Sequence, residues 1–358
     1  MVIGRRAVRS ALVSGPRRRV RRAPRPPAPR AHPAPPRAPR SPPRHSFAPQ
    51  IDDLAAATFT PYDASGAVDV SLVDAHCADL AAHRVRFAFI NGTTGDSMCL
   101  TQSERRALHE AWVKAGKVHG VRVLAHIGSA SITEACELAA HAQACGCDAI
   151  CAMAPNFFKP KDARALAVWL KAIGAAAPKL PLYYYNFPAI TGVELNPHAL
   201  IQELEAVSCP SFRGMKFTDF NLWFYSNCVR HGGGKYDIAY GRDEAMLGGL
   251  ATGAKGSIGN GFNFAAGVYQ RLRKAFFAGD METARMEQAR ANLTVDMMNS
   301  PKYGGNGLAT SRRIYEMKGS VKLGPPRLPI APLTAEQDAA LKADLDACGF
   351  FSWCDDKA

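Results

Sequence analysis

The sequence predicts an α/β chain folded as a (β/α)8 barrel with a C-terminal helical extension. Three observations predict it. Short apolar runs of β-forming residues alternate with helix-period segments between Leu54 and Ile258, and such alternation builds parallel βα units. The runs number eight, which is the count that closes a barrel. No Gly-x-Gly-x-x-Gly follows the first run, which disfavours a doubly wound sheet, the alternative architecture.

The strands are expected at Leu54–Thr60, Arg86–Ile90, Val121–His126, Asp148–Ala154, Pro181–Asn186, Phe212–Lys216, Tyr236–Tyr240 and Lys255–Ile258. Between most of them the apolar period lengthens to that of a helix. Helices are expected at Thr101–Ala115, Ser131–Ala144, Ala163–Ala176, Pro197–Glu205, Leu222–His231 and Glu244–Ala251. Thr101-Gln102-Ser103-Glu104 and Ser131-Ile132-Thr133-Glu134 have the form of a capping box, in which hydroxyl and carboxylate satisfy each other's backbone amides. Gly116 and Gly146 are expected to end those two helices, because glycine accepts the left-handed cap conformation. From residue 264 onward no good strand is present. Ala265–Ala278, Met281–Asn299, Gly307–Met317 and Thr334–Cys348 read as helices, with the Pro-rich stretch Gly324–Pro332 before the last. The expected segments are therefore a leader over 1–50, a barrel over 51–263 and a helical extension over 264–358.

The net charge of +13 is unevenly placed. Residues 1–50 hold 13 arginines, 12 prolines and no acidic residue, and the rest of the chain is neutral, with 31 basic and 31 acidic side chains. A segment of Arg, Pro, Ala and Ser buries no core, so disorder is expected there. Four readings stay open for it: an organellar transit peptide, a tail, a basic nucleic-acid arm, or translation upstream of the true start. The expected location is cytoplasmic, or organellar if the leader is a transit peptide. No aromatic residue interleaves the arginines before Phe47, and the remainder is neutral, so no nucleic-acid partner is expected. No segment has the roughly 20 apolar residues of a membrane span, so no membrane association is expected. The ten cysteines form no Cys-x-x-Cys pair. Cys145, Cys147 and Cys151 cluster with His141 nearby, but their spacing suits no common zinc site, so they read as buried thiols and no metal is expected.

The chemistry-bearing residues fall where strands end. Lys216 closes the apolar run beginning at Phe212. Burial favours the neutral amine, which attacks ketones to form a Schiff base. Tyr183-Tyr184-Tyr185-Asn186 ends the fifth strand. Alternation sends Tyr184 outward and leaves Tyr183 and Tyr185 inside. Thr93 and Thr94, in a glycine-flanked turn after the second strand, suit a carboxylate. Gly241, Asp243 and Glu244 follow the seventh strand and Asn260 follows the eighth, while His126 ends the third. A barrel gathers these onto one rim.

Gly92-Thr93-Thr94-Gly95-Asp96, Tyr185-Asn186-Phe187-Pro188, Gly214-Met215-Lys216, and Gly241-Arg242-Asp243-Glu244 followed by Gly256-Ser257-Ile258-Gly259 together resemble the N-acetylneuraminate lyase and dihydrodipicolinate synthase superfamily of class I aldolases, over about residues 51–350. The resemblance implies Lys216 as the Schiff-base nucleophile and Tyr185 as the acid/base. It also implies pyruvate carboxylate contacts from Thr93 and Thr94, and sugar contacts from Gly241, Asp243, Glu244 and Asn260. The synthase branch carries an arginine where Ile190 stands and a tyrosine motif where Asn156-Phe157-Phe158 stands, so the chain resembles the lyase branch more. Asp96 replaces the usual glutamate, and Asn260 the usual serine. The implied reaction joins or cleaves pyruvate and N-acetylmannosamine against N-acetylneuraminate, without cofactor, in a homotetramer. The competing expectations are an aldolase for another 2-keto sugar acid and a catalytically silent barrel with a binding role.

Overall fold

Eight short strands, apolar on both faces, close a parallel barrel in chain order. They are β1 (Leu54–Ala57), β2 (Phe87–Ile90), β3 (Arg122–His126), β4 (Ala149–Met153), β5 (Leu182–Asn186), β6 (Phe212–Phe217), β7 (Asp237–Tyr240) and β8 (Ser257–Gly259), with β8 pairing back to β1. The computed structural model describes residues 51–319 and 321–354. The leader over 1–50, and every expectation placed on it, lies outside the described residues. Alternation sorts the side chains into two layers. Ala55, Ala57, Phe87, Phe89, Leu124, Cys151, Met153, Tyr183 and Tyr185 fill the barrel. Ala56, Ala88, Ile90, Ala125, Ile150, Tyr184 and Met215 pack outward against the helices.

The helices of the outer ring are α1 (Val73–Ala82), α2 (Gln102–His119), α3 (Ile132–Cys145), α4 (Ala163–Ala176), the short α5 (Pro188–Thr191), α6 (Pro197–Ala206), α7 (Leu222–Arg230) and α8 (Met246–Ala251). The sequence reading missed α1, and the reason is chemical. Its buried stripe is Val73, His76, Cys77 and Leu80, and a histidine in that stripe breaks the apolar signal. His76 is fully buried and bonds Asn263 Oδ1 at 3.1 Å. Gly116 is no helix end. Helix α2 runs past it to Gly120, which takes the left-handed cap with φ +72°. A Cβ on Gly116 would lie 2.3 Å from the carbonyl oxygen of Val121, so glycine there permits close packing of helix on strand. Gly146 does cap α3, with φ +96°. The capping box at Thr101 is complete. At Ser131 only half of it forms, since Glu134 takes its bond from Ser129 Oγ at 2.6 Å. No helix among the described residues is long and apolar enough to cross a membrane.

Beyond the barrel lie α9 (Ala266–Ala278), α10 (Met281–Asn299), α11 (Gly307–Lys318), α12 (Ala335–Ala347) and α13 (Phe350–Trp353). This helical region reaches back to the rim. Arg312 of α11 donates to Asp96 Oδ2 at 3.1 Å and to the Thr60 carbonyl at 2.8 Å. Tyr62 donates to the same Asp96 oxygen at 2.9 Å. Burial pushes the Asp96 carboxyl up, and Arg312, Tyr62 and Arg327 pull it back. Removing one partner of such a buried pair costs about 3–5 kcal/mol. Asp96 therefore anchors the turn carrying Thr93 and Thr94, a support that its shorter side chain achieves through α11. Arg327 adds a second tie, with both carboxylate oxygens of Glu104 within 2.9 Å of its guanidinium.

Candidate active site

Lys216 is the fifth residue of β6 and pairs directly with Tyr185 of β5. Both side chains point inward. The Lys216 amine sits 4.3 Å from the ring centroids of both Phe89 and Tyr185 and the residue is only 4% exposed. No ion pair to it occurs among the described residues, and two aromatic rings face it. A lysine so placed at the C-terminal end of a barrel strand has no evident structural partner to satisfy.

Tyr185 is held from three sides. His126 and Phe89 meet its ring edge-on, and Phe187 stacks obliquely at 5.6 Å. Its hydroxyl lies 3.3 Å from Thr93 Oγ1, so the phenol faces the turn after β2. Tyr183, one pleat below, is occupied elsewhere, donating to Asp237 Oδ2 at 2.8 Å. Burial raises the Asp237 carboxyl to about 6, and the backbone amide of Ile51 also donates to it. Tyr184 points away into the helix layer. His126 lies wholly buried beneath the site, its Nδ1 within bonding distance of the Asn91 carbonyl and Ser97 Oγ. Burial, then Arg105, holds it well below the usual histidine range, so it stays neutral and shapes the floor.

The turn Thr93–Gly95 is a single 3-10 turn, with Thr94 buried and Thr93 half-buried. Gly92 is obligatory, because a Cβ there would strike the Phe89 ring at 2.3 Å. A Cβ on Gly95 would lie 3.0 Å from the Thr58 carbonyl oxygen, and Thr60 Oγ1 donates to the Gly95 carbonyl. The Thr93 hydroxyl thus stands beside the hydroxyl of Tyr185, whose ring faces the Lys216 amine, and hydroxyls with the leading amides of a turn are a donor set suited to a carboxylate.

The third wall follows β7. Gly241 leaves room for Thr218, whose Oγ1 would lie 2.1 Å from an added Cβ. Asp243 is more deeply placed than a helix-start acid would be. It is 9% exposed, and the amide of Gly261 donates to its Oδ2 at 2.7 Å. Burial, and then Glu244, raise its carboxyl to about 7, against the pull of Gly261 and Lys216. Near neutrality it can therefore donate as well as accept a hydrogen bond. Glu244 stands beside it at the mouth, 3.4 Å from Arg242. Asn260 points sideways, donating to Ser311 Oγ of α11 at 3.0 Å. Its Oδ1 has no partner among the described residues.

The sequence reading gave no role to Arg242. Its guanidinium lies 4.4 Å over the Phe220 ring and 5.2 Å from that of Phe187, which sets a fixed positive charge at the rim. The only signal was its place inside the Gly-Arg-Asp-Glu motif. Gly259 was also passed over. A Cβ there would lie 1.8 Å from Asp243 Oδ1, so this glycine makes the Asp243 position possible. Gly259→Ala should destabilise the fold by about 1–3 kcal/mol, the usual cost of overpacking. Gly248→Ala, whose Cβ meets only Leu222 Cδ1 at 3.4 Å, should not. Denaturant unfolding of both variants checks this, and equal midpoints would show that Asp243 is free to move.

Fold and site define one class: (β/α)8 barrels with a buried lysine and a tyrosine paired at the C-terminal ends of adjacent strands. Residues 50–348 match the dihydrodipicolinate synthetase family, and the chain belongs to that family. Among its relatives, it is 36% identical to N-acetylneuraminate lyase A of Xenopus laevis over 286 residues, 78% of this chain and 91% of that one. It is 33% identical to N-acetylneuraminate lyase of Homo sapiens over 308 residues, covering 86% and 95%. Among solved structures it is similar to Proteus mirabilis N-acetylneuraminate lyase, with a TM-score of 0.80 and 32% identity over 84% of this chain and 100% of that one.

Proposed function

We propose that this protein is a Schiff-base aldolase that reversibly cleaves N-acetylneuraminate to N-acetylmannosamine and pyruvate. The observation that carries the reading is the alignment of Lys216, Tyr185 and Thr93 at one rim. The likeness to named lyases over most of the chain supports the substrate and disfavours both other readings. The Lys216 amine attacks C2 of the open-chain keto acid. Loss of water from the carbinolamine gives a protonated imine. Deprotonation of the C4 hydroxyl then breaks C3–C4, and the bonding pair flows into the imine. N-Acetylmannosamine leaves as the aldehyde, and an enamine of pyruvate stays on Lys216. Protonation at C3 and attack of water on the imine release pyruvate and restore the amine.

In this reading Thr93 and Thr94 hold the carboxylate, and Tyr185 moves the proton. Gly241 leaves space behind the chain, and Asp243 and Glu244 meet the polyol. Asn260 acts from behind through Ser311. The imine is the electron sink, so the reaction calls on no cofactor. A homotetramer is part of the proposal, to be checked by light scattering.

Ile190, half-exposed on α5, offers nothing to a second carboxylate. The protein should therefore cleave N-acetylneuraminate and fail to condense pyruvate with aspartate semialdehyde. Glu244→Gln should weaken the sugar by about 1–3 kcal/mol in kcat/KM, with pyruvate trapping unchanged. Coupled assay of both reactions tests this, and efficient semialdehyde condensation would sink the lyase reading.

A further inference from the structure

The helix layer holds a cluster that the aldolase chemistry does not use. His109 of α2 meets His141 and Cys145 of α3, and one ligand atom from each lies within 4.8 Å of the others. His141 and Cys145 are four residues apart on one helix face. The two Nδ1 atoms stand 3.4 Å apart. Zn–N bonds of about 2.0–2.1 Å put two tetrahedral nitrogens about 3.3–3.4 Å apart, so this spacing already fits the edge of a metal tetrahedron. The orientation is set as well. His141 Nε2 lies 3.1 Å from Glu110 Oε1. A proton on Nε2 then faces the carboxylate, leaving the Nδ1 lone pair toward His109. This is the carboxylate–histidine support that metal-bound imidazoles use. Cys147 Sγ lies 3.8 Å from Cys145 Sγ, close enough for its thiol to donate to a Cys145 thiolate.

We propose that His109, His141 and Cys145 bind one zinc-like divalent ion, leaving a fourth position for water. Histidine nitrogens with one thiolate suit Zn2+ over hard cations. Binding expels the Cys145 thiol proton to solvent, and the His109 proton shifts from Nδ1 to Nε2 as the ion takes its place between the facing imidazole nitrogens. Two arginines stand nearby without blocking the charge. Arg105 is spent on the Gly128 and His126 carbonyls, and Arg106 pairs with Glu137 at 3.1 Å. The ion ties α2 to α3 on the outside of the barrel, whereas Lys216 sits inside it at the strand ends. The role is therefore structural, and pyruvate trapping on Lys216 is independent of it.

The test is a Co2+ titration of the reduced full-length chain. One equivalent should bind, with d–d bands and a thiolate-to-cobalt charge-transfer band, and Zn2+ should displace it. Cys145→Ser should abolish the charge-transfer band, Glu110→Gln should weaken binding about 10–100-fold, and Cys136→Ser should change neither. Borohydride trapping with pyruvate, run with and without chelator, should give equal adduct in every variant, which also shows that each is folded. No cobalt spectrum from the folded parent chain would overturn the site. A charge-transfer band surviving in Cys145→Ser would overturn it too, as would oxidation of Cys145 and Cys147 to a disulfide in preference to metal capture.

Discussion

Replacing Lys216 with alanine should lower turnover by on the order of 10⁶-fold, the scale on which removal of a covalent nucleophile acts, and should erase the pyruvate–borohydride adduct. The amine lies 4.3 Å from two aromatic centroids, and no other lysine among the described residues is buried. Lys216→Arg separates chemistry from charge. A guanidinium beside Phe89 and Tyr185 stays protonated, so it forms no imine. Both variants should lose the adduct, and Lys216→Arg should keep more of the parent stability. Peptide mapping by mass spectrometry after trapping is the measurement. Lys159, whose amine approaches the Gly192 turn near the mouth, is the rival nucleophile. An adduct on its peptide, or turnover undiminished in Lys216→Ala, would remove the assignment.

The strands were legible because a parallel barrel buries both faces of each, leaving uninterrupted apolar runs. The positions of Lys216 and Tyr185 followed from strand ends and from period-two alternation. What was not legible depended on residues far away in sequence. The depth of Asp243 comes from Gly259 and the Gly261 amide. The direction of Asn260 is set by Ser311, 51 residues later on α11. Asp96 seemed one methylene short, yet Arg312 supplies the reach. The missed helix α1 hides its stripe behind His76. Each failure is a tertiary contact that no local pattern encodes.

Tyr185→Phe should depress turnover about 10²–10⁴-fold, the contribution of a positioned acid/base, while some pyruvate adduct still forms on Lys216. The hydroxyl is the only polar group of that side chain and faces Thr93 at 3.3 Å. The ring is locked by His126, Phe89 and Phe187, so phenylalanine should fit the same slot and isolate the loss of one oxygen. Tyr184→Phe is the internal control. It sits one residue away, on the face turned to the helices, and its loss should leave kcat unchanged. Tyr183→Phe should cost stability and not chemistry, because its hydroxyl serves the buried Asp237. Three adjacent tyrosines thus give three separable outcomes from one strand. A one-residue slip in register would exchange the inner and outer faces, so a kinetic defect in Tyr184→Phe with a silent Tyr185→Phe would refute the strand register and, with it, the proton path.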